Sequence, residues 1–172
     1  MDNHMVKEFT RSVEELYPRL HRAMRAYLAG SNIDTEDLLQ DTFLKAYRNL
    51  DSYRKDASMY TWLYSIARNL AIDEFRKRKY EKLISNTPIE DLEISHDDPD
   101  DSIMNTEQEV LKMRKAIAQL PELLRSIVVM KTIDGLSYPE IAEVTGLNIE
   151  TVKNRMFRAR KELAENMKQI RI

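Results

Sequence analysis

Apolar residues recur at helical spacing through most of this chain and nowhere alternate as they do in a strand. Leu16, Leu20, Met24 and Leu28 fall on one stripe and predict a helix over 8–29. Gly30, Ser31 and Asn32 break it. Asp34 is placed to cap a second helix reaching about Leu50, with Leu39, Phe43, Ala46 and Leu50 inward. Residues 51–59 are polar and predict a loop. A third helix over about 60–80 turns Leu63, Ile66, Ala67 and Leu70 inward.

The pattern stops over 81–105, a stretch with two prolines and many acids that predicts a linker. It resumes near Thr106, where Val110, Met113, Ile117 and Leu120 line one face. Pro121 suits the first turn of a helix over 122–134, in which Leu124, Ile127, Val128 and Lys131 share a face, and Gly135 ends it. Ser137-Tyr138-Pro139-Glu140 is a capping box with proline in the first turn. The short helix 138–145 carries Ile141, Ala142 and Val144, with Ala142 small enough for a helix crossing. Gly146 sits at a turn that calls for positive φ, and Asn148 caps the next helix. There Val152, Met156, Ala159 and Leu163 point inward, leaving Lys153, Asn154, Phe157, Arg158 and Lys161 outward. This is the pattern of a helix-turn-helix whose second helix offers Lys, Asn and Arg to a major groove. A helical hairpin with a solvated basic face is the bland alternative. The expected fold is all-α, with two small helical domains, 1–80 and 106–172, joined by a flexible acidic linker, 81–105.

Composition narrows the function. A hydrophobic fraction of 42% is enough for packed cores, and only 3 Gly and 5 Pro favour helices over strands. The absence of cysteine excludes disulfides and thiolate chemistry. The first residues lack an apolar signal core, and no apolar run approaches the roughly 20 residues of a membrane helix, so a soluble, cytoplasmic protein is expected. His4, His21 and His96 are scattered and form no nucleophile–base pair, so no enzyme is expected. Asp97, Asp98, Asp100 and Asp101 lack calcium-loop spacing, so neither metal nor cofactor is expected. The net charge of −2 argues against nucleic acid until its distribution is considered. Residues 54–80 and 150–172 each carry seven basic side chains against three acidic, and the compensating acid lies between them.

Two features of the first domain stand out. Asp37, Asp41, Leu44 and Arg48 follow one another along the outer face of the second helix, flanked by Gln40 and Lys45. A leucine among charges is common on a surface and is also what a docking face looks like. The loop Lys55–Tyr60 and the third helix mix Tyr60, Trp62 and Tyr64 with Arg68, Arg76, Lys77 and Lys79. Rings and cations interleaved in this way suit unpaired bases. Trp62, as a large aromatic, is expected in the core.

DLLQDTFLKAYRNLDSYR followed by TWLYSIARNLAIDEFRKRK resembles region 2 of the extracytoplasmic-function (ECF, group IV) sigma factors of the sigma-70 family. LPELLRSIVVMKTIDGLSYPEIAEVTGLNIETVKNRMFRARKEL resembles their region 4, in the family's order and spacing. The resemblance implies a subunit without catalytic activity that binds core RNA polymerase and directs promoter-specific initiation, commonly in a stress response. It implies docking on the β′ clamp helices through Asp37, Gln40, Asp41, Leu44, Lys45 and Arg48, and contact with the β flap. It implies capture of a flipped −10 base at Lys55, Ser58, Met59 and Tyr60, with Asn69 behind and Arg68, Arg76, Lys77 and Lys79 nearby. Met59, flexible and polarizable, suits packing on a base. It implies −35 duplex recognition through Lys153, Asn154, Phe157 and Arg158, with Arg155 and Arg160 directed to phosphates or neighbouring acids. An acidic linker would thread a basic channel in the polymerase and discourage binding to random DNA. An anti-sigma factor, often membrane-anchored, is implied as partner, and a monomer outside complexes. The alternative from the residues alone is a stand-alone helix-turn-helix regulator, dimeric on paired half-sites.

Overall fold

The computed structural model describes residues 3–54, 56–85 and 104–170, and every regular element among them is helical. The elements are α1 (Asn3–Tyr27), α2 (Thr35–Arg48), a 3-10 turn (Leu50–Ser52), α3 (Met59–Ser85), α4 (Met104–Ala118), α5 (Glu122–Val128), a π-helical turn (Val129–Ile133), α6 (Tyr138–Thr145) and α7 (Ile149–Gln169). They group into two compact units. The first holds Met1–Arg25, Ile33–Ile89 and the short Glu143–Gly146; the second holds Ala26–Asn32, Glu90–Ala142 and Leu147–Ile172. Residues 86–103, most of the expected acidic linker, fall outside the described residues.

In the first unit local chemistry sets the helix starts. Asp34 Oδ1 accepts the Asp37 N–H at 2.9 Å and caps α2, as its position predicts. Ser58 Oγ accepts the Thr61 N–H at 3.0 Å and closes the first turn of α3. Leu38, Leu39, Ala46 and Leu50 then face Tyr60, Leu63, Tyr64, Ala67 and Ala71 in a buried interior, completed from α1 by Phe9, Leu20, Ala23 and Met24. The Arg19 guanidinium lies 3.8 Å from the centre of the Tyr60 ring, so α1 clasps α3 through a cation–π contact. Thr42, also buried, satisfies its hydroxyl by donating to the Leu38 carbonyl at 2.7 Å. Two expectations change here. α3 does not end at Tyr80 but continues to Ser85, because RKRKYEKL is a run of good helix formers despite its charge. Trp62 is half-buried, not core; Tyr60 and Tyr64 take the inward positions.

In the second unit Leu120, Leu124, Ile127, Val128, Met130 and Leu136 pack with Ile141, Val152, Met156 and Ala159. Pro121 occupies the N-cap position, one residue before the helix. The helix expected over 122–134 widens in its last turn, where the Asp134 N–H reaches the Val129 carbonyl at 3.1 Å. Gly135, at φ 72, reverses the chain. The capping box is reciprocal: Ser137 N–H donates to Glu140 Oε2 at 2.7 Å and Glu140 N–H donates to Ser137 Oγ at 3.3 Å. Gly146 has φ 69, and Asn148 Oδ1 accepts the Thr151 N–H at 2.7 Å. At the far end of α7, Asn166 donates to the Ala116 carbonyl at 3.1 Å, satisfying an open acceptor of α4. Val110 and Met113, expected inward, are exposed: the packed stretch of α4 begins at Ala116.

A Cβ built on Gly146 meets nothing within 4 Å, so only backbone strain opposes a side chain there. Gly146→Ala is therefore expected to cost about 1–2 kcal/mol in urea unfolding, the price of left-handed backbone, and Asn148→Ala about 1 kcal/mol from the lost cap. A Gly146→Ala protein as stable as the parent would contradict the positive φ. Tyr60→Ala should lose about 3–5 kcal/mol as a core truncation, and Trp62→Ala distinctly less; the reverse order would put Trp62 in the core.

Candidate nucleic-acid interface

Burying Val152, Met156 and Ala159 fixes the rotation of α7 and thereby chooses what it shows to solvent. Lys153, Asn154, Arg158 and Lys161 are exposed, and Phe157 is 74% exposed, as the spacing predicts. Arg155 lies at the edge of the packed face and is half-buried; Arg160 is exposed. None of these five cations enters an ion pair among the described residues, so their charge is available to an external anion. Glu150 shares the first turn, where the helix N-terminus favours it. The exposed Phe157 ring, between Asn154 and Arg158, offers apolar surface of the kind that packs on a thymine methyl.

On α2 the six residues Asp37, Gln40, Asp41, Leu44, Lys45 and Arg48 are all exposed, Leu44 by 54%. Glu36 and Asp37 stand in the first turn and Lys45 and Arg48 in the last, an arrangement that also suits the helix dipole. Tyr47 joins this face, half-exposed, with its ring 6.3 Å from Phe9. Its spacing from Gln40 and Leu44 is the sequence signal that puts it there.

The loop before α3 is tied on both sides. The Tyr53 hydroxyl donates to the Ala57 carbonyl at 2.7 Å, and its ring lies 4.9 Å from Trp62. Burial raises the Tyr53 phenol above its ordinary pKa, with Glu8 and then Asp56 adding to the effect. Lys55 lies outside the described residues. Ser58 is exposed, but its oxygen is engaged by Thr61. Met59 is half-buried and Asn69 exposed.

Two members of the expected −10 set are inside. Tyr60 is buried under Arg19, and Arg68 is only 7% exposed, with no hydrogen-bond partner at Nε among the described residues. The reason is helical phase: Tyr60, Tyr64, Ala67 and Ala71 form the inward stripe, and Arg68 borders it. Neither presents its side chain to solvent. The outward stripe of α3 instead runs from Trp62 through Asn69 and Asp73 to Arg76, Lys77 and Tyr80. Arg76 approaches Asp73 only at 3.9 Å, and Lys77 and Lys79 enter no ion pair among the described residues.

Among the described residues no three His, Cys, Asp or Glu side chains converge as metal ligands, and no helix is long and apolar enough to cross a membrane. The chain matches the Sigma-70 region 2 family over residues 12–80 and the Sigma-70 region 4 family over residues 111–163. It is 31% identical over 157 residues to the ECF RNA polymerase sigma factor SigW of Bacillus subtilis, covering 83% of this chain and 80% of that one. Against the ECF RNA polymerase sigma-E factor of Haemophilus influenzae it is 34% identical, covering 79% and 75%. It resembles a chain in the co-crystal structure of the sigma factor RpoE with the anti-sigma factor NepR from Bartonella quintana, at TM-score 0.80 and 28% identity, over 96% of this chain and 99% of that one. A stand-alone helix-turn-helix regulator would leave residues 12–80 without a counterpart. The chain therefore belongs to the ECF sigma factors of the sigma-70 family, the subunits that direct RNA polymerase to promoters.

Proposed function

We propose that this sigma factor divides its work among three helix faces. The outer face of α2, Asp37 to Arg48, docks on the β′ clamp helices of core polymerase. The loop ahead of α3, with Met59 and Asn69, holds a flipped base of the melted −10 strand, while Arg76, Lys77 and Lys79 follow its phosphates. Tyr60 and Arg68 act from beneath, shaping the surface that Trp62 and Tyr53 present. Lys153, Asn154, Phe157 and Arg158 on α7 meet the base edges of the −35 duplex, and Arg155 and Arg160 its backbone. The division into 1–80, 81–105 and 106–172 belongs to the same proposal. The polymerase makes the bonds; this chain supplies no reacting group and works in the cytoplasm beside the enzyme it serves.

The observation that carries this reading is the α7 face: four polar or cationic groups and one ring, all outward, unpaired among themselves, on a helix whose inner side is fully committed. Such a face has no role within its own unit. A flipped base costs a few kcal/mol of lost stacking, and the half-buried Trp62 and Met59 provide apolar surface to offset it. RpoE was crystallised with the anti-sigma factor NepR. A protein inhibitor of that kind, covering polymerase-docking surface, is part of the proposal for this chain, as is contact with the β flap.

Asp41→Arg reverses charge at the centre of the α2 face and should abolish binding to core polymerase, measured by fluorescence anisotropy of labelled protein. Undiminished binding would place the docking face elsewhere. On promoter variants, Asn154→Ala should relax discrimination at one −35 position by about 1–3 kcal/mol. Arg160→Ala should weaken every sequence alike and lower the salt slope by about one. If Arg160→Ala changes base preference, or Asn154→Ala does not, the assignment of the two residues is wrong.

A further inference from the structure

Two fixed points flank the loop ahead of α3. On one side the buried Leu50 anchors the 3-10 turn, and its carbonyl accepts the Tyr53 N–H at 3.1 Å. On the other the Ser58 carbonyl accepts the Trp62 N–H at 3.1 Å and starts α3, with Tyr60 and Thr61 buried. Between them Arg54 and Asp56 are exposed and bring nothing to the core. The backbone ties this span loosely: the Ala57 N–H reaches the Arg54 carbonyl only at 3.4 Å and otherwise meets the neighbouring Asp56 carboxylate. The short bond across it comes from a side chain. The Tyr53 hydroxyl donates to the Ala57 carbonyl at 2.7 Å, while its ring lies 4.9 Å from that of Trp62 on α3. Ring packing holds the phenol in place, and the loop closes onto its oxygen.

We infer that Tyr53 is a positioning residue for the −10 loop: its hydroxyl sets the path of the chain into Ser58 and Met59 before the flipped base arrives, an inference that rests on the −10 reading proposed above. The hydroxyl does not touch DNA, because its one proton is committed to Ala57. Packing alone does not call for the oxygen, since a phenylalanine would fill the same space beside Trp62. What the oxygen adds falls on the loop. That loop carries no core residue between Arg54 and Asp56, so closing it shapes an exposed surface more than it supports the fold. A loop already closed has little freedom left to lose when a ligand settles on it, and binding is tighter by that difference. Tyr53 thus acts through Ala57 and Ser58 on the residue that follows them, Met59, which is half-buried at the first turn of α3.

The test compares holoenzymes assembled from core polymerase with the parent protein and with Tyr53→Phe, which keeps the ring and removes the oxygen. Each is titrated with a −10 single strand and with the same strand made abasic at each position in turn. The position whose abasic form most weakens the parent marks the captured base. Tyr53→Phe should bind the intact strand about three- to tenfold more weakly, for the loss of one net hydrogen bond from the ordered loop. On the strand lacking the captured base, parent and variant should bind alike. Equal affinity for the intact strand overturns the inference even if the variant melts at a lower temperature, because the hydroxyl then serves stability alone. A loss that persists on the abasic strand overturns it too, since the hydroxyl would then be gripping the backbone. Trp62, the single tryptophan of the chain, gives an independent readout in the free protein. Its emission should be unmoved in Tyr53→Phe; a shift to the red means that the hydroxyl holds the ring and not the loop, and overturns the inference. A parent holoenzyme that no abasic site weakens overturns the −10 reading itself. A parent so weakened, beside a variant equal to it on every strand, overturns only the role of Tyr53.

Discussion

The step of 100° between successive residues of a helix is the constraint on which this molecule's surfaces depend. Each helix can commit one stripe to a core, and the commitment decides what the opposite stripe offers. In α2 it is Leu39, Ala46 and the buried Thr42 that turn Asp41 and Leu44 outward. In α7 it is Val152, Met156 and Ala159 that turn out Lys153 and Phe157. A residue with no contact to DNA or polymerase can therefore govern either. Burial of a leucine-sized side chain contributes about 1.5–3 kcal/mol, enough to hold a rotation against the pull of a single surface contact.

Electrostatics follows the same division. A chain with net charge −2 offers two basic helix faces because its acids are placed elsewhere in sequence. Exposed charges separated by well over a Debye length, about 8 Å at physiological salt, are largely screened from one another. A phosphate near Arg158 is therefore influenced by its immediate surroundings and hardly by the total. The acidic first turn of α2 coexists with the basic end of α3 in one small unit for the same reason.

The helix-turn-helix was the most legible part of the sequence. Three independent local signals coincide there: a capping box, two glycines at positive φ and an apolar stripe, and each has a physical cause confined to a few residues. The α2 face was legible for a similar reason, since Asp34 fixes where the helix starts. The −10 surface was less so. Tyr60 and Trp62 are two residues apart and both aromatic, so which of them is buried depends on the phase set by Ser58 and on Arg19 from α1, a contact across 41 positions of sequence that no local pattern encodes. Arg68 at the border of the buried stripe reads as surface by its charge alone. Val110 and Met113 carry the correct period for a core, yet period reports only which residues share a face, not whether another helix covers it. The π-helical turn before Gly135 left no mark in the spacing of apolar residues.

The bond from Asn166 to Ala116 ties α7 to α4 about 27 Å along the helix from its own N-cap at Asn148. A shift at the end of α4 is therefore passed to α7, and with it to the outward Lys153 and Asn154. The converse holds with equal strength, since coupling between two sites on one body is reciprocal. Ala116, at the end of α4, is in this sense a lever on the face that α7 turns outward.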